Sequence, residues 1–130
     1  MTEPSYRVLV VEDDPLVQKM VIAALRQKGH RAEACGDGRQ ALEKIEQERF
    51  DVVLTDFRMP NMTGLALIKS LQARPDRMAI VLMSSNTLEE MGVSARDLAG
   101  VEFLRKPFGL TDLHRTLQRA IKSVPPPGKP

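Results

Sequence analysis

Asp51-Val52-Val53-Leu54-Thr55-Asp56-Phe57-Arg58-Met59-Pro60 is the stretch on which the reading of this chain turns. Val52 to Thr55 is a short apolar run rich in β-branched residues, the pattern of a buried strand. It ends on a carboxylate, Asp56. Met59-Pro60-Asn61 and then Gly64 mark a loop before the next helix. Open α/β sheets place their ligands outside the carboxyl ends of the strands. A carboxylate there serves as a nucleophile, a metal ligand or both, and the flanking chain has to decide among these.

Upstream of this stretch, Arg7-Val8-Leu9-Val10-Val11 is a continuous apolar strand that runs into Glu12-Asp13-Asp14. Pro15 suits a helix first turn, with Asp14 as its N-cap. Val17, Met20, Val21, Ala24 and Leu25 recur on one helical face, and Gly29 stops that helix. Arg31 to Cys35 reads as a more polar strand near a sheet edge. Gly36-Asp37-Gly38 is a turn, and Ala41, Leu42 and Ile45 give a second short helix ending near Phe50.

Downstream, Leu65, Ile68 and Leu71 with Ala66 and Leu67 make a third helix, ended by Arg74-Pro75-Asp76. Ala79 to Met83 is a fourth strand, running into Ser84-Ser85-Asn86. Leu88, Met91 and Leu98 suggest a fourth helix, but Gly92 and the β-branched Val93 interrupt it, so it is expected to be short or mobile. Val101 to Arg105 is a fifth strand, followed by Lys106-Pro107-Phe108-Gly109. Leu113, Leu117, Ala120 and Ile121 line a fifth helix, expected to be capped near Thr111. Strand and helix alternate, which predicts an α/β fold: a parallel sheet with helices on both faces. Right-handed crossovers restrict the topology. The two most apolar strands are the first and third, which fits a doubly wound, five-stranded, flavodoxin-like (βα)5 sheet of order 2-1-3-4-5. Its switch point lies between strands one and three.

At 130 residues the chain has the length of one domain, with 42% hydrophobic and 28% charged residues, ordinary values for a globular protein. The net charge of +2 and the dispersed basic residues do not point to direct nucleic-acid binding. No apolar run approaches the ~20 residues of a membrane span. Met1 to Tyr6 lacks a signal-peptide layout, so a cytoplasmic location is expected. The lone Cys35 agrees with that, and reads as a small apolar residue of a strand. The domain is expected over residues 1–123. Residues 124–130, with four prolines in the last six, read as a linker or disordered tail. Met1 and the short lead suggest that the domain is N-terminal in its protein.

The residues just past the strand ends form a constellation. Strand one supplies Glu12 and Asp13, strand three Asp56, strand four Ser84 and strand five Lys106. Three carboxylates packed together repel one another, and their pKa values rise without compensation. A hard divalent cation resolves this, and ligands that are all oxygen select Mg²⁺, with Mn²⁺ as the alternative, over zinc. Such a cation neutralises phosphoryl oxygens. Lys106 adds a mobile positive charge and Ser84 a hydroxyl donor. Asp56 is then the carboxylate best placed to attack phosphorus and form an acyl phosphate. It needs no general base, being ionised at neutral pH. Positioning and charge neutralisation supply most of the catalysis in such transfers.

Over residues 5 to 123 the sequence resembles the receiver domain of two-component response regulators. The match is carried by Glu12-Asp13, by Asp56 with Met59-Pro60 and Gly64, by Ser84, and by Lys106-Pro107-Phe108. The resemblance implies that Asp56 accepts a phosphoryl group from the phosphohistidine of a sensor histidine kinase or phosphotransfer protein. It implies Mg²⁺ held by Glu12, Asp13, Asp56 and the main-chain carbonyl of Arg58. Ser84 would hydrogen-bond the phosphoryl group and Lys106 would pair with it. Lys106-Pro107 is a candidate cis peptide, and Phe103 matches the switch aromatic. Helix four, strand five and helix five would be the readout face toward a downstream protein or effector domain, and a candidate homodimer surface. Ser84 and Ser85 depart from the commoner threonine and alanine. Arg58 and Asn86 occupy variable positions beside the acceptor, where Arg58 could lie over the phosphoryl group and slow water attack.

Two competing functions are weaker. A phosphorylation-independent, receiver-like scaffold generally lacks part of the acidic pair, the acceptor or the lysine, and all are present here. An aspartate-nucleophile phosphohydrolase places a second Asp two residues after the nucleophile, where this chain has Arg58. Plainer roles suffice elsewhere: a helix cap for Asp14, solvated surface for His30 and His114, core for Met83 and Met91. Arg96, Arg105, Arg115, Arg119 and Lys122 read as a solvated face, or more sharply as a surface for an acidic partner.

Overall fold

The structure, a computed structural model, describes residues 5–123. In chain order the elements are β1 (Arg7–Val11), α1 (Pro15–Gln27), β2 (Arg31–Cys35), α2 (Gly38–Gln47), β3 (Val52–Asp56), α3 (Gly64–Gln72), β4 (Ala79–Ser84), α4 (Leu88–Met91), β5 (Val101–Arg105) and α5 (Leu110–Lys122). The strands form a five-stranded sheet in the order β2-β1-β3-β4-β5, and every pairing is parallel. Fold class and strand order are those expected from the alternating pattern. The expected tail, 124–130, lies outside the described residues.

The period of two along each strand divides the core between the faces of the sheet. Val8 and Val10 of β1, Val52 and Leu54 of β3 and Val81 and Met83 of β4 meet Val21, Ala24 and Leu25 of α1 and Leu113 and Leu117 of α5. On the opposite face Leu9 and Val11, Val53, and Ile80 and Leu82 meet Ala41 and Ile45 of α2 and Leu67, Ile68 and Leu71 of α3. The three central strands are buried on both sides, which is why they read as unbroken apolar runs rather than as alternation.

Helix ends follow their local signals. Asp14 caps α1 by accepting from the Leu16 amide, with Pro15 in the first turn. Thr63 caps α3, and Thr87 and Glu90 form a reciprocal capping box on α4. Helix α4 is only four residues long, with no buried side chain, and stops at Gly92 in the left-handed region. The interruption expected at Gly92 is thus real.

Three expectations need correction. Helix α5 begins at Leu110, with Gly109 as its cap residue and Thr111 already inside the first turn. The Asp112 carboxylate reaches back to the Gly109 amide, supplying the acceptor expected of Thr111. Met20 is 62% exposed although it falls in the periodic set of α1. Val21, Ala24 and Leu25 fill the sheet-facing stripe and leave Met20 at its edge. His30 is buried rather than solvated: its Nδ1 accepts from the Tyr6 amide, and the two rings lie against each other.

Candidate functional site

Strand register gathers the candidate residues. Val11 pairs with Thr55, Asp56 with Met83, and Ser84 with Arg105, so the carboxyl ends of β1, β3, β4 and β5 lie side by side. The ladder continues one residue past the strands. The Glu12 amide donates to the Cys35 carbonyl, that of Phe57 to Met83 and that of Lys106 to Ser84. These bonds fix the backbone from which each candidate side chain leaves.

Glu12, Asp13 and Asp56 each place a carboxylate oxygen so that all three atoms lie within 4.8 Å of one another. Glu12 is 1% exposed, and its Oε1 accepts from the Asp14 amide. Asp13 is exposed and Asp56 half-buried. Lys106 arrives from β5 with its Nζ 2.6 Å from Glu12 Oε2 and 3.2 Å from Asp56 Oδ1. The peptide between Lys106 and Pro107 is cis, as the resemblance implied. Ser84 is buried at the end of β4, its Oγ accepting from the Asn86 amide.

Burial pushes the carboxyls of Glu12 and Asp56 above their ordinary range, and the Lys106 ammonium opposes the rise at both. Burial works against the Lys106 charge too, but the hydrogen bond it donates to Glu12 and the negative charges around it prevail, and its pKa lies above the ordinary value. One cation thus faces three acidic side chains, leaving anionic charge uncompensated. The donor set is entirely oxygen, so the cluster fits a hard divalent cation and not a thiophilic one.

The loop after β3 is held tightly at its far end. The Gly64 amide donates to the Phe57 carbonyl at 2.7 Å. A Cβ on Gly64 would collide with the Asp56 carbonyl oxygen and stand 2.8 Å from Phe57 Cα. Only glycine lets α3 start this close to the acidic strand end. Arg58, exposed, lies on this loop. Phe103 on β5 is half-buried against the layer formed by α2, α3 and α4, so it lies at the edge of the core and outside the acidic cluster.

Two features were not legible in the sequence. Asp37 caps α2 and also accepts from the Asn61 side chain, joining two loops whose contact no local pattern reveals. Leu16, Met20 and Leu110 are exposed large apolar residues. Met20 and Leu110 line an apolar groove of about 360 Å³ between α1 and the start of α5, reaching Lys106 and Pro107 at the edge of the site. The available signal was Leu16 and Leu110, which fall outside the periodic stripes of their helices.

The comparisons with known proteins agree with this geometry. The family model for the response regulator receiver domain matches residues 8–118. The transcriptional activator protein PfeR of Pseudomonas aeruginosa is 37% identical over 93% of this chain, which spans 39% of PfeR. The transcriptional regulatory protein ZraR of Escherichia coli K12 is 33% identical over 93% of the chain, here 27% of the relative's length. The chain therefore spans well under half the length of these curated relatives. Among solved structures, the chemotaxis response regulator CheY4 of Vibrio cholerae superposes with a TM-score of 0.81 at 32% identity, covering 90% of this chain and 99% of that one. The receiver domain of sensor histidine kinase PA1611 from P. aeruginosa PAO1, solved with magnesium coordinated in its active-site cleft, also gives 0.81 at 32% identity, covering 92% and 99%. With the parallel β2-β1-β3-β4-β5 sheet, the acidic cluster at its switch point and the matching family model, this chain belongs to the response regulator receiver domains.

Proposed function

We propose that this chain is a phosphorylatable signalling switch of a two-component system, with Asp56 as its phosphoacceptor. The observation that carries the reading is the single ammonium of Lys106 lying against both Glu12 and Asp56 in a cluster of three carboxylates. Such an arrangement leaves anionic charge for a divalent cation to neutralise, and the cation and the ammonium would together face the phosphoryl oxygens.

Glu12, Asp13, Asp56 and the Arg58 carbonyl would hold Mg²⁺, or Mn²⁺ in its place. When bound, that ion supplies charge neutralisation for phosphoryl oxygens. Asp56 attacks the phosphorus of a phosphohistidine on a sensor kinase or phosphotransfer protein. A bond forms from its carboxylate oxygen to phosphorus as the P–N bond breaks, and the electron pair of that bond leaves on the imidazole nitrogen. Lys106 follows the developing charge with its ammonium. The Ser84 hydroxyl, now an acceptor for the Asn86 amide, turns to donate to a phosphoryl oxygen.

That turn draws on the β4–α4 loop, and Phe103 moves inward as it does so. Helix α4 is suited to respond, because it is four residues long and its apolar side chains, Leu88 and Met91, are only half-buried against the core. The α4–β5–α5 face is then the readout for a downstream protein or an effector domain, and the surface for a homodimer. The switch works in the cytoplasm through protein partners, without direct contact to nucleic acid or membrane. No helix of the described residues is long and apolar enough to cross a membrane.

The test is intact mass after incubation with acetyl phosphate and Mg²⁺, for wild type, Asp56→Ala and an EDTA control. One labile phosphoryl group on wild type alone is expected. Absence of that gain, together with no spectral change on beryllofluoride titration, would overturn the reading in favour of a scaffold.

A further inference from the structure

We infer that Asp37 and Asn61 are a positioning pair for the phosphoacceptor site: their hydrogen bond seats the loop between β3 and α3 on the turn between β2 and α2. The inference rests on the function proposed above. It concerns residues from outside the acidic cluster and the element that supports them.

The contact has two parts. Asp37 is 8% exposed and divides its oxygens between two tasks. Oδ1 accepts from the Gln40 amide at 2.9 Å, capping α2, and Oδ2 accepts from Asn61 Nδ2 at 3.0 Å. These bonds, with the Gln40 amide foremost, hold the Asp37 carboxyl below the usual carboxylate range, so it is an anionic acceptor at neutral pH. Asn61 has φ of 71°, and is the one non-glycine residue with positive φ among the described residues. Asparagine tolerates that conformation better than most residues, but it is still sparsely populated and needs support from its surroundings. The second part is packing. A Cβ on Gly38 would stand 2.8 Å from the Met62 sulfur and 3.0 Å from its Cβ. Consecutive loop residues, Asn61 and Met62, thus rest on Asp37 and on Gly38, the N-cap and first residue of α2.

The consequence concerns what lies between. Arg58 and Met59 are anchored on one side by β3, ending at Asp56, and on the other by the Asp37–Asn61 bond. The Arg58 carbonyl, the one main-chain group proposed to face the cation, has its direction set by both anchors. Loops give poorer positional precision than strands, and an outer hydrogen bond is how a loop ligand is kept in place. A cap for α2 needs only the Gln40 contact; the bond to Asn61 is additional to it.

The test exchanges donor and acceptor. Asp37→Asn keeps one oxygen. If that oxygen caps α2, an amide nitrogen faces the Asn61 amide nitrogen and the loop contact is lost. Asn61→Gly keeps the left-handed backbone and removes the side chain, and it carries the test if Asp37→Asn folds poorly. The double variant Asp37→Asn/Asn61→Asp restores the bond with its direction reversed. Two measurements are made: Mg²⁺ affinity by calorimetry, and amide chemical shifts of Arg58 and Met59 in EDTA. Each single variant should weaken Mg²⁺ binding about tenfold, the effect of losing an outer-sphere partner. Each should also shift both amides, and the double variant should return both readouts toward wild type. Single variants that leave the affinity within about twofold and the amides unmoved, or a double variant that restores neither, overturn the inference. Failure of the function itself is seen separately, as a wild-type protein that takes up neither Mg²⁺ nor a phosphoryl group; the amide shifts in EDTA still decide the loop contact.

Discussion

Replacing Lys106 by Met keeps most of the apolar stem and removes the charge, so it isolates what the ammonium does. Glu12, 1% exposed, loses a partner at 2.6 Å, and Asp56 loses one at 3.2 Å. Removing one member of a buried ion pair costs about 3–5 kcal/mol while the survivor stays charged. The Lys106 and Asp56 side chains are 20% and 15% exposed, so water reaches part of the cluster and the lower end applies, about 3 kcal/mol. Protonation of Glu12 limits the loss. Burial already holds its carboxyl above the ordinary 4.5, and the Lys106 hydrogen bond that opposes burial is absent in the variant, so it rises further. A carboxyl raised in the folded state contributes its stability fully below the unfolded pKa and loses it as pH rises through the folded one. In EDTA, Lys106→Met should therefore lie near wild type at about pH 4.5 and fall behind as pH rises. At pH 8 a deficit of about 3 kcal/mol corresponds to roughly 10 °C in Tm for a domain of this size. Circular dichroism melts at pH 5 and pH 8 check this, and adding Glu12→Gln should recover much of the loss and flatten the pH dependence. An equal drop at both pH values, or none, would refute the view that buried charge governs the site.

Three other outcomes are expected. Gly64→Ala forces α3 away from the Asp56 carbonyl, and overpacking against backbone should cost about 3 kcal/mol in urea melts and slow phosphorylation by acetyl phosphate. Burial pushes the Cys35 thiol up to about 12 from 9.0, so the native protein should resist alkylation at pH 8 that the urea-unfolded chain undergoes. The raised pKa contributes stability below about pH 9 that is lost as pH rises toward 12, a loss that Cys35→Ala should lessen in alkaline melts. Arg58→Ala should shorten the phosphoryl half-life, measured by intact mass, if the exposed guanidinium shields the group from water; an unchanged half-life rejects that role.

The elements and their order were legible in the chain alone. The unbroken apolar runs at Val8 to Val11, Val52 to Thr55 and Ala79 to Met83 read as strands covered on both faces, from their length, β-branched content and flanking turn residues, and the periodic segments between them as the crossover helices. That was enough to place Glu12, Asp13, Asp56, Ser84 and Lys106 past strand ends, because parallel strands all present their carboxyl ends on one side. The local reading failed where a neighbouring residue took the place expected of another: Met20 at the edge of a stripe already filled, Asp112 supplying the cap expected of Thr111, and His30 drawn under Tyr6. How charge is shared within the cluster depends on the packing of distant elements. Lys106 is 94 residues from Glu12 along the chain, and the 2.6 Å contact depends on strand register and burial that no local pattern encodes. The Asp37–Asn61 bond is of the same kind, spanning 24 residues between two loops. Periodicity reports which face of an element is apolar; distances between side chains of different elements arise only when those faces have packed.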